Sequence, residues 1–292
     1  MTSEPEYKSL RRLFLATDLS ARCDRALDRA AMLAAETSAQ LTVVHAFEPD
    51  VYAMTQDPRP APSWRQRPDL KHAIALKQLH RELGQLDIPF ELILDEGDPA
   101  DVILRTANDH TGDLIVTGIA RNETFGRFLF GGTVERLVRS GSVPVLVVKN
   151  RPLGPYRDIV VATDFSPASR KAIDTTQRMF PEARITLLHC YEGTASALVR
   201  PAEAGHISHE ISQGEYDRFI NSDAEAAERL AKLPIFIEQG SLDCVIHAYA
   251  ADKNLDLVVI GSQKKNALTR ALVGSVAETA MASAPADVLV TS

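Results

Sequence analysis

Short apolar runs alternate along the chain with longer segments whose apolar positions recur every three or four residues. The runs fall at residues 12–17, 40–47, 89–95, 113–118 and 143–149, then at 157–163, 184–191, 234–239, 255–261 and 287–291. Their length and continuity predict strands buried on both faces. Between them, residues 20–38 carry Ala26, Ala30, Leu33 and Ala34 at helical spacing, with Ser20 as the expected N-cap. Residues 69–86 carry Ile74, Leu76, Leu79 and Leu83, and residues 99–110 open with Asp98-Pro99, an N-cap followed by proline in the first turn. A shorter helix is predicted over 132–140, and four more over 167–180, 209–233, 241–253 and 275–284. Strand–helix alternation of this kind predicts an α/β fold with an open, mostly parallel sheet covered by helices on both faces. Residues 48–67 and 193–205 read as long connections.

The pattern occurs twice. Leu13–Ser20 reads LFLATDLS and Ile159–Ser166 reads IVVATDFS. LTVVHAF (41–47) is matched by ITLLHCY (185–191), and DLIVTG (113–118) by DLVVIG (256–261). Gly97 and Gly240, Asp113 and Asp256, Gly118 and Gly261, Gly131 and Gly274, and Glu135 and Glu278 all stand 143 positions apart. Asp18 and Asp164 stand 146 apart, so the copies differ in loop length. A constant register over several glycines marks an internal repeat. We divide the chain into domains 1–150 and 151–292, joined by the short linker RPLGPY (151–156). So short a linker implies that the copies pack together.

Composition narrows the partners. A formal net charge of −7 argues against a general binder of nucleic acid or anionic membranes. No apolar stretch is long enough to span a bilayer, and the first dozen residues lack a signal-peptide core. Cys23, Cys190 and Cys244 are odd in number and form no Cys-x-x-Cys pair, which fits a reducing, cytoplasmic setting.

In an open α/β sheet, ligands bind beyond the carboxyl ends of the strands. The first strand of each copy ends in Ala16-Thr17-Asp18 or Ala162-Thr163-Asp164, and the fourth ends in Gly118 or Gly261. A polar loop then leads to Gly131-Gly132-Thr133 or Gly274-Ser275-Val276 at the start of a helix. A glycine turn opening a helix points N–H groups and the positive dipole end at an anion. Arg121, Arg127 and Arg136 in copy 1, and Lys264, Lys265 and Arg270 in copy 2, add positive charge there.

These motifs, over about 11–149 and 157–291, resemble the universal stress protein family in its tandem two-domain form. The resemblance implies two five-stranded sheets and a loop of the form Gly-x2-Gly-x9-Gly-Ser/Thr. It further implies ATP, with Mg²⁺ alongside, bound between the first-strand aspartate and the glycine loop. Carried onto this chain, Asp164 faces the adenine or ribose, while Gly261, Gly274 and Ser275 serve the loop. Asp18, Gly118, Gly131 and Gly132 are the copy 1 counterparts, with the hydroxyl of Thr133 one residue late. The motif's second glycine is Lys264 in copy 2 and Arg121 in copy 1. A long side chain there either obstructs the phosphates or supplies charge to them. The resemblance also implies pairing of the fifth strands across an interface. That would make the chain an internal pseudo-dimer, and it leaves a further homodimer and an unidentified protein partner open.

Local chemistry offers plainer roles beside these. Asp18 and Asp164 suit turns or caps as well as ligands. His45 and His189, at the ends of second strands, read as half-buried and hydrogen-bonded. His206 with His209, and His72 with His80, lack a third metal ligand. No Ser-His-Asp or Walker spacing is present. Three functions follow: a stress-response regulator that binds an adenine nucleotide, more strongly expected in copy 2; a nucleotide-free scaffold or dimerisation protein; and a weak ATPase.

Overall fold

The computed structural model describes residues 10–20, 23–47, 68–83, 88–119, 132–140, 142–191, 201–222, 224–262 and 280–291. Copy 1 runs β1 (Arg12–Ala16), α1 (Asp24–Thr37), β2 (Gln40–Phe47), α2 (Pro68–Leu83), β3 (Phe90–Glu96), α3 (Pro99–Asp109), β4 (Leu114–Gly118), α4 (Gly132–Ser140) and β5 (Val145–Val148). Copy 2 runs β6 (Asp158–Ala162), α5 (Pro167–Met179), β7 (Arg184–Tyr191), α6 (Pro201–Asn221), α7 (Ala224–Leu230), β8 (Ile235–Gln239), α8 (Leu242–Asp252), β9 (Leu257–Gly261) and β10 (Asp287–Thr291). The single helix expected over 209–233 is two helices, and the first begins at Pro201, inside the expected connection. The connection 48–67 lies outside the described residues.

All ten strands form one sheet, in the order β3-β2-β1-β4-β5-β10-β9-β6-β7-β8. Every neighbouring pair within a copy is parallel. The strand period of two divides the apolar side chains between two cores. Leu13 and Leu15 join α1 and α5 on one face, while Phe14 and Ala16 join α3, α4 and α8 on the other. Each core draws residues from both copies, so the two domains share their apolar interior. Gly97 and Gly240 sit at φ 149° and 140° after β3 and β8, and their N–H groups donate to Phe47 and Tyr191 carbonyls. A positive φ that glycine tolerates explains this repeated pair.

The copies join where β5 meets β10 in an antiparallel step. Val147, Leu146 and Val145 face Val288, Leu289 and Val290 in register, all buried. Each such side chain contributes about 1.5–3 kcal/mol by leaving water. The antiparallel step puts the carboxyl strand ends of the two copies at opposite edges of the sheet. The two predicted sites therefore lie apart.

Asp287 pins the junction. Its buried carboxylate accepts from the Lys149 and Asn150 N–H groups at 2.8 and 3.0 Å and from the Tyr156 hydroxyl at 2.6 Å. The Arg29 side chain lies 3.8 Å away, stacks over the Tyr156 ring and donates to the Gly154 carbonyl. A buried carboxylate is tolerated when its lone pairs are satisfied in this way. Lys149, also buried, donates from Nζ to the Ala284 carbonyl. Burial pulls its pKa down to about 8 against the opposing pull of Asp287.

Candidate functional site

The carboxyl ends of β1 and β6 carry the same turn. Thr17 Oγ1 accepts from the Leu19 N–H, and Thr163 Oγ1 from the Phe165 N–H, both at 3.0 Å. Leu19 and Phe165 each adopt φ 60°, a left-handed backbone that costs a bulky residue about 1 kcal/mol or more. The His45 and His189 Nδ1 atoms meet the Thr17 and Thr163 carbonyls at 2.8 Å. A carbonyl only accepts, so Nδ1 carries the proton in each imidazole. The half-buried, satisfied histidines expected from sequence are thus the pins of these two turns.

Both aspartates shape the turn. Asp164 Oδ1 accepts from the Ser166 N–H at 3.1 Å and from the Ser169 hydroxyl at 2.5 Å, while Ser169 Oγ accepts from the Asp164 N–H. Partial burial raises the Asp164 pKa, but the bonds from Ser166 and Ser169 together outweigh it and hold the carboxyl below its ordinary value. Ser166 then caps α5 by accepting from the Ser169 N–H, with Pro167 in the first turn. In copy 1, Asp18 Oδ1 accepts from the Ser20 N–H and the Cys23 thiol. Contrary to the expectation from sequence, Ser20 does not cap α1; Cys23 holds that position without a side-chain cap. Three residues separate Ser20 from its helix, whereas Ser166 stands directly before Pro167. Burial, with Asp18 nearby, pushes the Cys23 thiol up to about 11, so it acts as a donor at neutral pH.

Gly261 closes the copy 2 site from the other strand. It follows Ile260, which pairs with Ala162. A Cβ on Gly261 would stand 2.4 Å from the Ala168 carbonyl oxygen and 3.0 Å from the Ser169 nitrogen. The glycine lets the first turn of α5 approach the sheet and brings Ser169 and Asp164 beside the strand end. Gly118 ends β4 in copy 1, paired with Val148. Gly132 and Thr133 open α4, with open space around Gly132. Arg121, Gly131, Lys264, Gly274, Ser275 and Val276 lie outside the described residues, as do Arg127, Lys265 and Arg270. Arg136 was expected to add charge near the copy 1 loop. Instead it clamps Asp98 and Asp101 of α3 at 2.5 and 2.6 Å, drawn there by two carboxylates at the helix start.

An open cleft of about 620 Å³ lies beside the Asp164 turn, with Phe165, Arg170, Arg218 and Phe219 on its walls. Sequence reasoning passed over Phe165, Arg170 and Asp287. The phenylalanine replaces Leu19 within an otherwise repeated motif, a visible signal. Asp287 replaces Pro144, its partner at the 143-residue offset.

The model of the universal stress protein family matches residues 9–149 and again 155–292. The chain belongs to the universal stress protein family. The stress response protein NhaX of Bacillus subtilis is 28% identical over 163 residues, covering 47% of this chain and 97% of its own. Among solved structures, a universal stress protein from Archaeoglobus fulgidus covers 96% of this chain and 95% of its own, with TM-score 0.64 and 18% identity. A functionally unknown protein from Pseudomonas aeruginosa covers 97% and 92%, with TM-score 0.65 and 17% identity. These two share the universal stress protein fold over both repeats. No helix among the described residues is long and apolar enough to cross a membrane.

Proposed function

We propose that this universal stress protein binds an adenine nucleotide, ATP, at the carboxyl strand ends of copy 2. The observation that carries this reading is the Asp164 turn. An exposed aspartate, biased toward its ionised form, is fixed by Ser166 and Ser169 against the glycine end of β9. A fixed carboxylate is a ready acceptor for amino or hydroxyl groups of a base or ribose. The loop from Gly261 to Ser275, with Lys264, would hold the phosphates. Mg²⁺ would enter with the triphosphate. The role is that of a cytoplasmic, stress-responsive binding module rather than a catalyst.

Mass spectrometry of small molecules released from freshly purified protein, with an ATP thermal-shift titration, tests this. Released ATP, or a melting temperature that rises with ATP, is the expected result. No nucleotide and no shift at millimolar ATP overturns it. A nucleotide-free scaffold is the second reading. Arg121 and Lys264 in place of the motif's second glycine favour it, as does the junction that fuses both copies into one sheet.

A further inference from the structure

The Asp164 turn is joined to α6 by aromatic rings. The Phe165 ring stacks on His189 at 4.4 Å, the same histidine that pins the turn through the Thr163 carbonyl. It also meets Tyr216 and Phe219 of α6 at 6.0 and 5.7 Å, both buried. The Arg170 guanidinium of α5 lies over Phe219, 4.2 Å from its centroid. It also donates to the Phe219 carbonyl and, at 3.0 Å, to Ser222, holding the end of α6. A cation there complements the helix dipole. Turn, helix α5 and the end of α6 thus form one closed set of contacts.

Copy 1 shows what the turn itself requires. Leu19 adopts the same φ 60°, with the same threonine and histidine bonds. The strained turn therefore forms without a ring, and Phe165 adds something beyond it. Stacked aromatic pairs contribute beyond their buried area and have defined geometry. Interdigitated rings move together, because a packed core does not deform continuously.

We propose that Phe165 links the Asp164 turn to α6, making this helix the element of copy 2 that responds to an occupied site. The inference rests on the nucleotide reading for its ligand, and the link itself is testable without one. The experiment is hydrogen exchange by mass spectrometry on the full chain, following peptides over 210–221. ATP is expected to slow exchange there several-fold in the wild type. Compared at saturating ATP, Phe165→Leu, a residue that copy 1 accommodates at the same φ, should lose most of that slowing. Slowing retained in Phe165→Leu, or α6 unchanged while ATP binds, overturns the link. If ATP does not bind, the function proposed above fails, and Asp164→Ala supplies the perturbation. It removes the acceptor for Ser166 and Ser169, so α6 should exchange several-fold faster. In Phe165→Leu the added Asp164→Ala change should leave α6 exchange where it was. Equal responses in both backgrounds overturn the proposal.

Discussion

The two copies end their first strands in the same turn and then depart from each other. In copy 1, Asp18 accepts from the Cys23 thiol, and the helix begins without a side-chain cap. In copy 2, Asp164 receives two serines, Ser166 caps the helix at once, and Phe165 ties the turn to α6. The shared part is what the backbone needs: a threonine, a histidine and a left-handed residue. Among the described residues, the unshared part gathers two serines and an aromatic contact at the Asp164 turn. Both copies thus keep the same turn scaffold, and copy 2 adds the serine and aromatic contacts to it.

The same asymmetry sets the expected effects of mutation. Asp287 replaces Pro144 of copy 1 and is the junction's buried acceptor. Asp287→Ala strands Arg29, Tyr156 and two N–H groups, and should cost about 3–5 kcal/mol in urea unfolding. A loss below about 1 kcal/mol would show that the junction does not depend on this carboxylate. Gly261→Ala forces a Cβ onto the Ala168 backbone and should cost about 1–3 kcal/mol. Gly132→Ala, in open space at the start of α4, should be neutral or stabilise by about 0.4–1 kcal/mol. Equal thermal shifts for these two glycines would break the comparison.

Lys149 offers a pH test. Its pKa is about 8 folded, against 10.5 as the ordinary value, so the unfolded chain binds more protons between those limits. Stability from this group therefore rises as pH increases from 8 toward 10.5 and is lost as pH falls through 8. The advantage of wild type over Lys149→Met should grow by about 1 kcal/mol per pH unit in the lower part of this window. Comparing the two proteins cancels the thiols and tyrosines they share. A flat difference would place Lys149 in contact with water. The smallest effect belongs to Arg136→Ala. Its half-exposed clamp on Asp98 and Asp101 contributes about 0–1 kcal/mol, and the ATP response of copy 2 should not change.

Much of this was legible before any coordinates. Apolar runs located all ten strands to within two residues, because parallel strands buried on both faces leave few polar positions. The fixed offset exposed the repeat, and the structure accounts for several of its pairs. Gly97 and Gly240 meet a backbone need. Asp113 and Asp256 accept from the N–H groups of Arg11 and Arg12 and of Arg157 and Asp158, at the end of the sheet away from the sites. What sequence misread depended on partners brought from a distance. Arg136 is diverted by carboxylates more than thirty residues away. Ser20 resembles Ser166, yet the chain takes three more residues before α1 begins. The pairing of β5 with β10 was expected from the family resemblance, and its register places Asp287 beside the linker.

The claim that copy 2 carries the nucleotide site is tested most directly by calorimetric titration of ATP into the full chain and into Asp164→Ala and Asp18→Ala. Losing a charged hydrogen-bond acceptor should weaken ATP binding about tenfold or more in Asp164→Ala and leave it intact in Asp18→Ala. No binding heat in the wild type, or an affinity indifferent to Asp164 and sensitive to Asp18, would contradict the account.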